Sequence, residues 1–253
     1  MHESLSGEPA PVLVVANSLC ATHEIWRDLI SSWRARYQVV CLGYAGHGPD
    51  DADSLPARDS VQALGEALIR RLDADDIEQF DYVGLSLGGS LGLHLASRYP
   101  ERVRRLVAAN CRYEAGETGK RQWDQRIRHV EANGIAPIVE GTLSRWLTEP
   151  FRQHHPAVVA RLGTMIRGTS VEGFTSAATA VRDLNLGDEL PDIRCPVLLL
   201  TGDQDQAAPA QHMQEIAHRI PGAQLHVFEH CAHISCIEQA AGFAEQTARH
   251  FRN

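Results

Sequence analysis

The sequence predicts an α/β fold, a mainly parallel sheet of about six strands layered with helices and carrying an inserted helical cap. Three observations predict it. Six short runs rich in β-branched residues are nearly continuous in apolar character rather than alternating, as strands covered on both faces are. Helix-period patterns stand between several of them, which implies crossover connections. One long stretch, 115–183, carries no strand signal.

The runs come in order as "PVLVVAN" (11–17), "YQVVCL" (37–42), "FDYVGL" (80–85), "RVRRLVAA" (102–109), "CPVLLLTG" (195–202) and "AQLHVFE" (223–229). Val61, Leu64, Leu68 and Leu72 recur at helical spacing and predict a helix over 59–72. A glycine-rich helix is expected after Leu85. The block 115–183 reads as several helices, "QWDQRIRHVEANG", "GIAPIVEGTLSRWL", "HPAVVARLGTMIRG" and "SVEGFTSAATAVRDL", punctuated by Gly and Pro. The sheet then resumes. Ile237, Ala241, Ala244, Ala248 and Phe251 predict a last helix over 237–251. The expected organisation is a core of 1–114 and 184–253 with the cap at 115–183.

Of the 253 residues 43 % are hydrophobic and 22 % charged, an ordinary globular mixture. The net charge of −8, with acids and bases interspersed, argues against nucleic acid as a partner. No segment approaches the ~18 unbroken apolar residues of a membrane span. The start "MHESLSGEPA" has neither a basic region nor an apolar run, so no secretory leader and a cytoplasmic location are expected. The cysteines, Cys20, Cys41, Cys111, Cys195, Cys231 and Cys236, form no CxxC pair and no ligand spacing; reduced thiols, no metal and no cofactor are expected.

Gly84, Ser86 and Gly88 form G-x-S-x-G where the third strand ends and a helix begins. In that context the motif has a mechanism: a tight turn exposes the serine, and the helix start supplies free amides, that of Leu87 foremost, for a developing oxyanion. A serine hydroxyl needs a base, and the base needs an orienting acid. "LLLTGDQDQAAP" offers Asp203 and Asp205, and "FEHCAHISCIEQ" offers His230 and His233. Both loops leave the carboxyl ends of strands, where α/β sheets build sites. His233 is preferred as the mid-loop residue; His230 directly follows the strand and reads as a turn residue.

These motifs resemble the α/β-hydrolase family, and within it the 3-oxoadipate enol-lactonases of aromatic catabolism. "NSLCATHEIW" resembles N-S-L-G-T-x-x-x-x-W, "GLSLGG" resembles G-L-S-M-G-G, and "AHISCIEQ" resembles A-H-L-S-N-x-E-Q. The cap stretches "WDQRI", "RWLTEPFRQHHPAVVAR" and "GFTSAATAVRDLNL" are similar too, so the resemblance runs from about Pro11 to the end. It implies the α/β-hydrolase fold and a Ser86–Asp205–His233 triad, with the G-x-x-D pattern placing the acid at Asp205. It also implies a second oxyanion amide at Leu19, in a segment where Asn17 and Ser18 stand for the His-Gly of many relatives. A small lactone or ester is the implied substrate. Carboxylesterase or carbon–carbon bond hydrolase activity on the same triad is the alternative, and a ligand-binding relative without catalysis a further one.

The implied enol-lactone carries a carboxylate, so a cation should face it; Arg112, Arg126 and Arg145 are candidates, with Arg126 preferred. Trp123 is expected in the pocket wall and Trp146 in the core. Three departures stand out. Cys20 replaces the glycine of N-S-L-G, as a small filler beside the substrate rather than a reactive thiol. "GYAGHG" (43–48) stands where the family reads D-x-R-G-H-G, so Gly43 and Ala45 replace an acid and an Arg beside the expected pocket; His47 reads as a turn residue. The amino terminus is too short for two leading strands, which predicts a shortened sheet edge; a homodimer paired through it is one way to cover it.

Overall fold

The computed structural model describes residues 10–48 and 54–252. Its sheet has seven strands: β1 (Val12–Ala16), β2 (Gln38–Tyr44), β3 (Ser54–Leu55), β4 (Phe80–Leu85), β5 (Val103–Ala109), β6 (Val197–Gly202) and β7 (Gln224–Phe228). The order is β3-β2-β1-β4-β5-β6-β7, and every pairing is parallel. Every residue of β4 and of β6 is buried, whereas β7, at the sheet's edge, is half-exposed. That is the physical origin of the unbroken apolar runs: helices cover both faces of the inner strands.

Among the described residues the sheet has seven strands, against the about six expected. The added one, β3, pairs only Ser54 with Gly43 and Leu55 with Tyr44, too short to leave a period in the sequence. It also accounts for Gly43, where a Cβ would sit 2.5 Å from the Ser54 hydroxyl. The expected shortening of the edge ahead of Pro11 falls on residues 1–9, outside the described residues.

Between strands lie α1 (Arg27–Arg34), α2 (Val61–Ala74) and α3 (Leu87–Arg98). Ser60 caps α2 by accepting a hydrogen bond from the Ala63 amide at 3.2 Å. Helix α3 is buried from Leu87 to Ala96. Its glycines allow that depth: at Gly92 a Cβ would lie 2.6 Å from the Tyr82 ring.

After β5 the chain builds α4 (Gly116–Asn133), α5 (Val139–Trp146), α6 (Glu149–His154), α7 (Pro156–Arg167) and α8 (Val171–Arg182) before β6. The four expected helices are present; α6 is an addition, capped by Thr148 and opened by Pro150. The two ends of this helical block run side by side. Glu114 bridges Asn185 in antiparallel fashion, the Leu186 amide donates to Tyr113 at 2.7 Å, and the Ala115 amide donates to Leu184 at 3.2 Å. The chain closes with α9 (Ala210–Arg219), α10 (Ser235–Glu238) and α11 (Ala240–His250), the last helix being interrupted at Gln239.

The segment 45–48 docks on the helical block. The Ser170 amide donates to the Gly46 carbonyl at 2.7 Å, and His47 bridges Thr169. Gly46, at φ +73°, lies so close to Gly173 that a Cβ would come within 2.9 Å of its Cα. Backbone contact replaces side-chain pairing here, which suits Gly43 and Ala45 in this stretch.

Candidate active site

Ser86 stands between β4 and α3 with φ 57° and ψ −112°, a strained conformation for a residue with a side chain. It is held there by what surrounds it. Its amide donates to Ala109 at 2.8 Å, and its carbonyl accepts from Ser90 at 2.9 Å. A Cβ on Gly84 would collide with the Gly88 carbonyl, and one on Gly88 with the Ala16 carbonyl. Ser86 is half-buried while its neighbours on both sides are buried, so its hydroxyl looks into an open cleft.

Leu87 is the first residue of α3, so its amide has no acceptor within the helix. The segment after β1 lies beside it, fixed by Asn17. That side chain donates to Leu42 at 2.7 Å and accepts from the Trp26 indole at 2.8 Å, while its carbonyl accepts from the Gly88 amide at 3.0 Å. Leu19 and Leu87 thus line the same cavity as Ser86.

The loop after β6 supplies Asp205 and the loop after β7 supplies His233, both buried. Asp205 Oδ2 is 2.8 Å from His233 Nδ1. The other carboxylate oxygen accepts from the Ala207 and Ala208 amides at 2.8 and 2.9 Å. Burial pushes the Asp205 carboxyl up. His233, the Ala208 amide and Asn110 pull the other way and win, so it sits below the usual carboxylate range. His233 lines the cavity with Ser86.

The competing residues are elsewhere. Asp203 accepts from the Cys231 amide at 3.0 Å and braces the loop; His230 is an exposed turn residue with φ 53°.

Two residues of this network were not singled out in the sequence, although Glu238 lies within the stretch "AHISCIEQ". Asn110, at φ 48°, donates to Asp205 Oδ2 at 2.9 Å and accepts from the Ser235 hydroxyl at 2.5 Å. A polar residue directly after the apolar β5 run was its one sequence signal. Glu238 accepts from the Ala232 amide at 2.6 Å with one oxygen. With the other it accepts from the amide and hydroxyl of Thr148 at 2.9 and 2.7 Å. The Ile234 amide donates to Trp146 at 3.0 Å. Both neighbours of His233 are therefore tied to the helical block.

The cavity's remaining wall carries Trp123, Trp146, Arg112, Arg126 and Arg145, and among the described residues no Asp or Glu lines it. Trp146, expected in the core, is buried and also lines the cavity. Gly43 and Ala45, expected beside the pocket, do not line it. Arg126 donates to Thr142 at 2.8 Å and lies over the Trp123 and Phe174 rings at 5.2 and 5.5 Å. Burial, with Arg145 beside it, pushes its guanidinium down to about 10. Arg112 donates to the Ala207 carbonyl at 2.5 Å. Among the described residues none of the three pairs with a carboxylate.

Cys20 also lines this wall, in a left-handed backbone conformation at φ 64°, which accounts for glycine at that place in similar sequences. Burial pushes its thiol up to about 11 despite Arg126 and Arg145, so it stays protonated. Among the described residues no group of three His, Cys, Asp or Glu side chains could hold a metal ion.

Comparisons with known proteins agree with this architecture. The chain is 31% identical over 233 residues to a 3-oxoadipate enol-lactonase of Acinetobacter baylyi, covering 92% of this chain and 85% of that one. It is 30% identical to a 2-hydroxymuconate semialdehyde hydrolase of a Pseudomonas species, covering 96% and 87%. The crystal structure of the enol-lactonase from Burkholderia xenovorans superposes with a TM-score of 0.90 at 25% identity, over 99% of this chain and 94% of that one. The family model of the alpha/beta hydrolase fold matches residues 11–240, and with it the chain belongs to the α/β-hydrolase family as a hydrolytic enzyme.

Proposed function

We propose that the enzyme opens a small, carboxylate-bearing enol-lactone by serine hydrolysis. One observation carries the reading: Ser86 and the Asp205-bonded His233 share a cavity that, among the described residues, is lined by three arginines and no carboxylate. In this mechanism His233 takes the Ser86 proton as the hydroxyl oxygen attacks the lactone carbonyl. Asp205 holds the imidazole tautomer with Nδ1 protonated and stabilises the imidazolium. The Leu19 and Leu87 amides face the oxyanion. On collapse the ring carbon–oxygen bond breaks, and His233 returns the proton to the departing enol oxygen, which then tautomerises to a ketone. Water, deprotonated by His233, cleaves the acyl-enzyme and restores Ser86.

The arginines support a charged substrate, because a guanidinium fork matches a carboxylate. The relatives' names, enol-lactonase above all, support the same choice. A second reading, cleavage of a carbon–carbon bond in a diketone, draws on the semialdehyde hydrolase relative.

The test is an assay on an enol-lactone acid, its methyl ester and a diketone. The acid is expected to exceed the ester in kcat/KM by at least about tenfold, the worth of one charge-assisted hydrogen bond. Ser86→Ala is expected to lose on the order of 10⁶ in kcat while folding normally. Residual activity above a few per cent rejects Ser86 as nucleophile, and faster diketone cleavage favours the second reading.

A further inference from the structure

Strand β5 lies between β4 and β6, so its exit is flanked by the turn that carries Ser86 and the loop that carries Asp205. Two consecutive residues there reach both neighbours. The Ala109 carbonyl accepts from the Ser86 amide at 2.8 Å, and the Asn110 amide donates to Leu200 in β6 at 2.8 Å. The buried Asn110 side chain goes further. Its Nδ2 donates to Asp205 Oδ2 at 2.9 Å, the same oxygen that faces His233 Nδ1, and to the Ala232 carbonyl at 3.3 Å. Its Oδ1 accepts from the Ser235 hydroxyl at 2.5 Å. Ala232 directly precedes His233, and Ser235 follows it by two positions. One amide therefore grips the histidine's loop on both sides while it holds the histidine's acid.

The partners fix which way that amide points. A carboxylate and a carbonyl only accept, whereas a hydroxyl can donate. The reversed amide would set its oxygen against two other oxygens. Asn110 also lines the cavity. Both of its Nδ2 hydrogens are spent on Asp205 and Ala232, so none is left to donate to a substrate. Its backbone, at φ 48°, lies in the left-handed region that asparagine enters more readily than most residues.

We propose that Asn110, braced by Ser235, is the positioning residue of the reacting group: it fixes the Asp205 carboxylate and the His233 loop to each other and to the β5 exit that anchors Ser86. The proposal rests on the reading of Ser86, Asp205 and His233 as the reacting residues. A defect at Asn110 slows proton transfer and leaves substrate binding alone.

Two readouts test this, hydrolysis of an enol-lactone and a nitrophenyl ester, and the downfield proton resonance of His233 Nδ1–H, assigned by its absence from His233→Gln. Asn110→Gly removes the side chain at a φ that glycine adopts without strain. It is expected to lower kcat by about tenfold to 10² with KM little changed, and to shift or broaden the His233 resonance. Ser235→Ala is expected to do the same more weakly. Asn110→Asp keeps the acceptor for Ser235 but turns a second carboxyl on Asp205. Of two facing carboxyls one has a raised pKa, and below that pKa its O–H donates as the amide did. The ratio of this variant's kcat to that of the wild type is therefore expected to rise as pH falls. A folded Asn110→Gly with wild-type kcat and an unmoved resonance overturns the proposal, and so does a loss carried by KM. If Asn110→Gly fails to fold by circular dichroism, the pH course of Asn110→Asp decides, and a flat ratio overturns the proposal. Full activity in Asp205→Asn and His233→Gln would refute the triad reading instead, while the resonance in Asn110→Gly would still report whether Asn110 holds the pair.

Discussion

Asp205 keeps its charge against its burial because every hydrogen bond it receives comes from a donor aimed at the ionised form. Its pKa is lower in the folded chain than the ordinary ~3.9 of an unfolded one. Such a group stabilises the fold above the unfolded value, and the benefit is lost as pH falls through the folded value. In urea titrations at pH 7 and pH 3, the wild type is therefore expected to lose more stability than Asp205→Asn. Kinetically, Asp205→Asn should lose on the order of 10⁴ in rate through the wrong imidazole tautomer, and Asp203→Asn little, because Asp203 only braces Cys231. The reverse result would exchange the two roles. The placement of Ser86, Asp205 and His233 after the carboxyl ends of strands was legible in the sequence because each has a local pattern around it. The contacts of Asn110 with Asp205 and of Glu238 with Thr148 were not, since these partners lie 95 and 90 residues apart along the chain.

At the scale of elements, α10 and the end of α5 act on the His233 loop together. Glu238 joins Ala232 to Thr148, and Ile234 bonds Trp146. A shift of the block at 146–148 therefore displaces the histidine between Ala232 and Ile234. Glu238→Gln keeps an oxygen for Thr148 but offers an NH₂ group to an amide that can only donate. Misplacing a catalytic group by about 1 Å can cost about 10² in rate. The expected outcome is a kcat loss approaching that size with a nearly unchanged KM. A loss confined to thermal stability would make Glu238 a structural clamp alone. The long periodic helices and the buried strands were readable from the sequence. The two-residue β3 and the six-residue α6 were not, because a period needs more residues than either has.

On the scale of the whole molecule, β5 and β6 are sheet neighbours, with Leu106 opposite Val197, and the entire helical block hangs between them. Register within the sheet does not depend on that block, since β4, β5 and β6 pair directly. The sequence announced this by the interruption of its strand pattern. What it could not announce was the antiparallel contact of Glu114 with Asn185, which needs the folded chain to exist. Paired backbones of that kind lie only about 5 Å apart. A Gly-Ser joint of about four residues in place of 115–184 therefore closes the gap at little entropic cost. That shortened chain is expected to melt cooperatively and to lose the proposed preference for charged lactones; failure to fold would show that the block holds the core together. If it folds, the block is a cassette. Descendants of one ancestral chain could then exchange it wholesale through two adjacent joints, inheriting a new appetite in a single recombination while the strands beneath stay as they were.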